Sequence, residues 1–313
     1  MDQNSSGGQL FRLDSDLNAK MVRTVIGQML VWFFICVDML MLFTFFSKHA
    51  FRSDARYILF AHTLLGDSVL LLLNDLVVLL IHFQVLVPVG RCIVVCILLA
   101  IASKNTPYTI TAMCLERYVA ICMPLRHASI STTGRTMAAI AVVWACSSVR
   151  VMTDLTIFTI VAPPGYFATP TLCYYQVMLV TEWHRLMHVI FNQVDFGIIM
   201  VILLFCYTKI MLAAQAASGE NKQSVSKGRR TLLFHGLQLI LCMAELWVPY
   251  IVDLIGVQNQ SLYVHIRFFN FISFTIISRA LSPIIYGLRD EKFFLALKYY
   301  MSCKAPLQRN IAA

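Results

Sequence analysis

Seven long apolar runs dominate the sequence and limit what the chain can fold into. They cover residues 25–46, 57–83, 92–115, 137–162, 186–207, 232–255 and 268–286. Each comes close to or exceeds the roughly 20 apolar residues that a helix needs to cross a bilayer. Because 59% of the 313 residues are hydrophobic and 13% are charged, a soluble enzyme and a disordered chain are excluded. We therefore predict an all-α membrane protein, a seven-transmembrane helix bundle.

The distribution of Lys and Arg predicts the orientation of this bundle, since these residues collect in cytoplasmic loops. With the N-terminus outside, the cytoplasmic segments hold 15 of the 25 Lys and Arg residues and the outer segments hold 6. The predicted plasma-membrane protein is multi-pass, with an extracellular tail (1–23), a helix bundle (24–286) and a cytoplasmic amphipathic helix and tail (287–313). The formal net charge of +9 follows from this topology, so no nucleic-acid partner is expected.

Three further features fit this orientation. Asn4 and Asn259 begin Asn-x-Ser sequons in the predicted outer segments, where they would be glycosylated. Residues 290–300 are predicted to form a short amphipathic helix on the inner leaflet of the lipid bilayer. Its apolar face consists of Phe293, Phe294, Leu297 and Tyr300. Cys303 follows this helix, and a palmitoylated and a free cysteine fit the sequence equally well.

A motif at the end of the third run resembles that of a known family. Residues 113–125 read Met-Cys-Leu-Glu-Arg-Tyr-Val-Ala-Ile-Cys-Met-Pro-Leu. This is similar to the signature Met-Ala-Tyr-Asp-Arg-Tyr-Val-Ala-Ile-Cys-x-Pro-Leu of the odorant receptors, a group of rhodopsin-like G-protein-coupled receptors. Further matches to the family are Asp67, Trp144, the Trp-Val-Pro at 247–249 and the Ser-Pro-Ile-Ile-Tyr at 282–286. The resemblance thus extends over all seven runs.

The chain also departs from the family pattern. Asp38 stands where the family usually has Asn, Glu116 replaces Asp, and Ser282 replaces Asn. The fifth run lacks the usual proline, and the mammalian motif that opens the sixth run is missing. The chain therefore resembles a divergent, fish-type odorant receptor.

The resemblance implies a chemosensory receptor that is not an enzyme. A small-molecule odorant would bind from outside among the third, fifth, sixth and seventh spans. The inner end of the sixth span would then move outward and admit a heterotrimeric G protein, of the stimulatory olfactory type that raises cyclic AMP. The residues implied in this coupling are Glu116, Arg117, Tyr118, Tyr207, Lys227, Arg230, Pro283 and Tyr286.

Two structural features are implied in the same way. Cys92 and Cys173 match the pair that forms the family disulfide. Asp38, Asp67 and Ser282 would converge in the core of the bundle, where many relatives bind a sodium ion. A hydrogen-bonded cluster without sodium is the alternative, and no other cofactor or metal is expected.

Charged residues inside the runs predict a polar interior. Lys104 lies roughly 18 Å along its helix from Cys92, and a lone ammonium at that depth is costly. The third and fifth spans are neighbours in the family that the chain resembles, so we expect Lys104 to pair with Asp195. Either one of the two contacts the ligand, which would then be polar and water-soluble, or the pair is structural. The predicted ligand pocket comprises Ser103, Lys104, Asn192, Asp195, Trp247, Tyr250 and Thr275.

Two more ion pairs and a bend are predicted within the spans. Arg150 and Asp154 are four residues apart and would pair along one helix face. Glu245 and Arg279 would pair across the bundle and hold the inactive state. Trp247, next to the kink at Pro249, would sense the ligand and rotate the inner half of its helix.

Other functions remain as alternatives. A transporter or channel would explain the charges inside the spans, but not the motif at 116–118 in register with the Trp-x-Pro and Pro-x-x-Tyr elements. A non-olfactory rhodopsin-like receptor is the second alternative. An intramembrane enzyme ranks last, because His-Glu-x-x-His and Gly-x-Ser-x-Gly motifs are missing from the sequence.

Overall fold

Long α-helices make up most of the structure, a computed structural model that describes residues 3–216, 233–245, 247, 266, 268–287 and 290–301. The main helices are α1 (Gln3–Ser47), α2 (Ala55–His82), α3 (Val89–Cys122), α4 (Thr133–Val161), α5 (Glu182–Ala216), α6 (Leu233–Glu245), α7 (Ile277–Gly287) and α8 (Glu291–Met301). A π-helical segment, Phe271–Ile276, leads directly into α7. Short helices His49–Arg52 and Pro124–Ile130 follow α1 and α3.

The predicted apolar runs agree with these helices. Within the described part of the chain, five helical stretches are long and apolar enough to cross a membrane: Lys20–Ser47, Ala55–His82, Val89–Cys122, Thr133–Val161 and Glu182–Ala213. Two shorter apolar helices, Leu233–Glu245 and Phe268–Ile284, fall within the sixth and seventh runs. The first five helices are longer than the matching runs, because hydropathy marks only the apolar centre of a helix. The helix α1 begins at Gln3 and therefore includes most of the predicted tail.

Local sequence explains several helix ends. The side chain of Asp54 caps α2 by accepting a hydrogen bond from the backbone N–H of Arg56 at 3.0 Å. The side chain of Thr132 caps α4 by accepting one from the N–H of Arg135 at 3.4 Å. The helix α3 ends at Cys122, because Pro124 disfavours the helical conformation in the residue before it, Met123.

The helix α3 lies at the centre of the bundle, where it packs against α2, α4 and α5. The largest core cluster includes Phe60, Leu64, Ile110, Ile210 and Leu239, which come from α2, α3, α5 and α6. Many large apolar side chains point outward instead, among them Leu98, Val142, Ile160 and Val201. A soluble protein rarely exposes so much apolar surface, whereas lipid solvates it.

The helix α8 packs against the bundle. Phe293 is completely buried, and its ring lies 5.2 Å from that of Phe51 and 5.5 Å from that of Phe60, measured between centroids. Leu297 is also buried, whereas Phe294 is exposed. The predicted short helix after the bundle is therefore present. Part of its apolar face contacts protein. An amphipathic pattern in a sequence does not tell whether the apolar face will contact protein or lipid.

The connection between α4 and α5 folds back over one end of the bundle. Residues Pro170–Thr171 pair antiparallel with Val87–Pro88, just before α3 begins. Gly165 turns the chain there with φ of 84°, a left-handed conformation that glycine adopts without steric cost. We call this end the disulfide end, and the opposite end, which carries Glu116, Arg117 and Tyr118, the triplet end.

Candidate functional site

The disulfide end is fixed by a covalent link. Cys92 at the start of α3 and Cys173 in the connection before α5 form a disulfide, with Cα atoms 5.3 Å apart, as the family resemblance implied. The free thiol of Cys96 is buried, and its sulfur lies 3.7 Å from that of Cys92. The disulfide holds the connection between α4 and α5 against the N-terminal end of α3.

A buried ammonium lies between α3 and α5. Lys104 Nζ donates to Asn192 Oδ1 at 2.6 Å and to Asp195 Oδ2 at 3.3 Å. The predicted Lys104–Asp195 pair is therefore present, and Asn192 completes it. Ser103, from the same predicted pocket, donates instead to the carbonyl of Ala100 in its own helix, at 2.9 Å.

A second polar cluster surrounds Asp154 of α4. Arg150 Nη2 lies 3.0 Å from Asp154 Oδ1, which confirms the predicted pair. The structure adds partners that the sequence analysis did not name. His188 Nδ1 lies 2.8 Å from Asp154 Oδ2, and Tyr175 donates to the same oxygen at 3.0 Å. His184 Nε2 is 3.5 Å from Asp154 Oδ1. His184 and His188 are one helical turn apart in α5, and this spacing is the sequence feature that indicates a shared partner for the two imidazoles.

A third cluster occupies the centre of the bundle around Asp67. Thr106 donates to Asp67 Oδ1 at 2.8 Å, and Ser282 donates to Oδ2 at 3.1 Å. Asp38 lies in the same region and accepts a hydrogen bond from Ser68 at 3.2 Å. The predicted contact between Asp67 and Ser282 is therefore a direct hydrogen bond.

Arg279 of α7 joins this central cluster to α6. Its Nη1 donates to Glu245 Oε2, as the predicted pair requires, and its Nε lies 4.0 Å from Asp67 Oδ1. Thr275, a member of the predicted pocket, donates to Glu245 Oε1 at 2.7 Å. Trp247 is 45% exposed, and within the described chain no hydrogen bond or ring contact joins it to these clusters.

The triplet end has looser contacts. Glu116 is buried, and its Oε1 lies 3.2 Å from His127 Nε2. Arg117 Nε is 4.0 Å from Glu116 Oε2 and, among the described residues, has no hydrogen-bond partner. The ring of Tyr118 lies 5.4 Å from that of Phe205. His127 is the contact that the sequence analysis missed.

Several predicted site residues are placed only in part. Tyr207 is half-buried beside the main core cluster, and Pro283 lies buried inside α7. The side chains of Asn4 and Tyr286 lie outside the described residues. So do the whole residues Lys227, Arg230, Pro249, Tyr250, Asn259 and Cys303.

Comparisons with known proteins agree with this geometry. Residues 37–286 match the family model of the 7 transmembrane receptor (rhodopsin family). Odorant receptor 131-2 of Danio rerio is 42% identical over 300 residues, which cover 96% of this chain and 91% of the relative. Olfactory receptor 1073 of Rattus norvegicus is 26% identical over 63% of each chain. The substance-P receptor of Homo sapiens is 23% identical over 63% of this chain and 50% of its own.

The chain therefore belongs to the rhodopsin family of seven-transmembrane, G-protein-coupled receptors, and within it to the odorant receptors. This membership decides against the transporter or channel and against an enzyme. It also implies two partners, a ligand and a G protein. A protein with this fold is a multi-pass membrane protein.

Proposed function

We propose that this receptor binds a small, polar, water-soluble odorant inside the bundle and then activates a heterotrimeric G protein of the stimulatory olfactory type. The observation that carries the proposal is the buried ammonium of Lys104, with Asn192 and Asp195 as its partners. Charged groups at this depth are costly, and in membrane proteins they commonly mark a ligand or ion pathway.

The position of this ammonium supports a ligand site. Lys104 lies between the disulfide end and the middle of the bundle, on the central helix α3. The side chain of Asp195 is 27% exposed, whereas that of Lys104 is 9% exposed, so the carboxylate is the more accessible partner. A ligand that carries a cation or several hydrogen-bond donors would therefore engage Asp195 first.

Activation would transmit this binding to the triplet end. A ligand shifts a two-state bundle only if it binds the two states with different affinity. Contacts to α3 and α5 near Lys104 would change how these helices pack and release α6. Arg117, Tyr118 and Tyr207 would then meet the G protein together with Lys227, Arg230, Pro283 and Tyr286.

The orientation belongs to the same proposal. With the N-terminus outside, the disulfide end faces the oxidising extracellular side, where such bonds persist. Asn4 and Asn259 would then be available for glycosylation, and Cys303 would face the cytoplasm. Glycosidase digestion of the membrane-inserted protein tests this, since a change in gel mobility requires a sequon on the lumenal side.

A screen of water-soluble odorants on cells that express the receptor tests the function, with cyclic AMP as the readout. Once an agonist is found, Lys104→Met and Asp195→Asn should each weaken the response. The matched controls are Arg91→Met and Glu182→Gln, which remove exposed charges of the same two helices. Normal responses from both single variants at normal surface levels would remove Lys104 and Asp195 from the site.

The double variant Lys104→Met with Asp195→Asn separates a binding role from a structural one. Removing one partner of a buried pair leaves an unpaired charge, so each single variant also loses stability. In the double variant we expect surface expression to recover and agonist potency to stay low. Recovery of potency together with expression would show that the pair is structural and that the ligand binds elsewhere.

A further inference from the structure

Many relatives bind sodium at the position of Asp67, and in this chain the guanidinium of Arg279 lies beside that carboxylate. Asp67 and Arg279 are 1% and 2% exposed, and the guanidinium Nε lies 4.0 Å from Asp67 Oδ1. We propose that Arg279 is the built-in counter-cation of Asp67, so that this receptor neither needs nor binds a sodium ion there. This inference goes beyond the proposed function and does not depend on which ligand is bound.

Both carboxylate oxygens of Asp67 already accept hydrogen bonds. Thr106 donates to one oxygen of Asp67, and Ser282 donates to the other. Ser282 in turn accepts a hydrogen bond from Gln238 at 2.7 Å. A hard cation needs several oxygen ligands around one point. Here the hydroxyls of Thr106 and Ser282 instead donate hydrogen bonds to Asp67.

The guanidinium is also held in place from its other end. Its Nη1 donates to Glu245 and to Ser278 Oγ, the latter at 2.7 Å. The backbone carbonyl oxygens of Phe274 and Thr275 lie 3.1 and 3.2 Å from the same nitrogen. These carbonyls belong to the π-helical segment that leads into α7. The position of the positive charge is therefore set by the fold.

Like charges repel strongly in a buried site, because little water screens them. A sodium ion on Asp67 would stand within a few ångströms of a guanidinium that cannot lose its proton. Arg279 also connects Asp67 on α2 with Glu245 on α6, so it supplies both the charge and the bridge between helices that a bound cation would supply. Ser278 is engaged by Arg279 and by the carbonyl of Phe274, which removes another oxygen from an ion.

The test compares the thermal unfolding of the purified receptor in sodium chloride and in choline chloride at equal concentration. For the wild type we expect the same midpoint in both salts. A midpoint that rises in sodium, and no longer rises after Asp67→Asn, would overturn the inference. No agonist is needed, so failure of this test leaves the proposed function untouched, and failure of that function does not affect the test.

A gain of sodium sensitivity provides the second arm. The double variant Arg279→Ser with Glu245→Gln removes the guanidinium and its carboxylate together, and leaves the oxygens of Asp67, Thr106, Ser278 and Ser282 around the vacated space. We expect its midpoint to rise in sodium, and adding Asp67→Asn should abolish this rise. A folded double variant that ignores sodium would contradict the claim that Arg279 excludes the ion.

A control and a fallback complete the design. Arg150→Ser with Asp154→Asn removes a buried ion pair elsewhere in the bundle, and its midpoint should be the same in both salts. If the Arg279 double variant is not recovered, Arg279→Gln with native Glu245 provides the same comparison. The wild-type comparison can overturn the inference even if neither variant is recovered.

Discussion

The middle of the bundle and its triplet end both carry an arginine beside a carboxylate, and the two contacts differ in kind. In the middle, Arg279 pairs with Glu245, and the exposed side-chain fractions are 2% and 16%. At the triplet end, Arg117 Nε is 4.0 Å from Glu116, and Glu116 lies closer to His127. The ion pair that restrains the packing of the helices more tightly therefore lies in the middle of the bundle.

This difference suggests a division of roles. A buried pair that is broken leaves a charge in an apolar environment, which typically costs about 3–5 kcal/mol. The Arg117–Glu116 contact joins adjacent residues of one helix at 4.0 Å, so it holds no two helices together. The middle pair is thus suited to hold helices α6 and α7 together, while Arg117 is left available for a protein partner.

The largest effect is expected from Arg279→Met, which strands Glu245 and Asp67 in the core. We expect a loss of stability of about 3–5 kcal/mol and a strong reduction in surface expression, measured by antibody labelling of intact cells. Arg279→Met combined with Glu245→Met should recover part of the loss. The matched variant at the triplet end, Glu116→Met, should retain more surface receptor than Arg279→Met, and the reverse order would break the comparison.

Arg117→Ala should affect signalling and leave folding intact. Because its contact with Glu116 is long, the variant should reach the surface at about the wild-type level, yet fail to raise cyclic AMP when agonist is added. Arg126→Ala, which removes an exposed arginine from the neighbouring short helix, is the control. Wild-type signalling from Arg117→Ala would count against the receptor mechanism at this end.

His127→Ala should have a smaller effect. Without the imidazole, Glu116 loses the partner at 3.2 Å and keeps Arg117, so the Glu116–Arg117 pair should tighten. We expect a modest fall in agonist potency, read from a cyclic AMP concentration series. An unchanged potency would show that His127 does not compete for Glu116.

The smallest effect concerns Asp54, the cap of α2 near the same end. Burial raises the pKa of Asp54, but the hydrogen bond and charge of Arg56 outweigh it, and with Arg117 they hold the pKa below its ordinary value. The stabilisation is therefore present above the ordinary pKa and is lost as pH falls towards the lower, folded value. Asp54→Ala should cost about 1 kcal/mol as a lost cap, and the cost should shrink in acid, as thermal unfolding at several pH values would show.

The sequence predicted those features that depend on length, hydropathy and local motifs. The spans 57–83 and 137–162 differ from α2 and α4 by only a few residues, because apolar runs must be helical in lipid. Pairing of Lys104 with Asp195 was predicted from the cost of burying a charge together with the helix arrangement of the family that the chain resembles. Pairing of Glu245 with Arg279 across the bundle was predicted as well. The approach of Arg279 to Asp67 was not predicted, because it depends on how α7 packs against α2.

Other contacts could not be predicted, because they depend on how each helix is rotated about its axis. His184 and His188 meet Asp154 only because α4 and α5 present these faces to each other. His127 reaches Glu116 because the chain turns back after Pro124.

The comparison is tested most directly by cyclic AMP without agonist, measured for Glu245→Gln and Glu116→Gln at matched surface levels. Glutamine keeps the shape and hydrogen-bonding capacity of glutamate and removes its charge, so each variant weakens one ionic contact. We predict that Glu245→Gln raises the agonist-free signal more than Glu116→Gln does. A raised signal from Glu116→Gln, with wild-type signal from Glu245→Gln, would place the restraint at the triplet end and contradict the account.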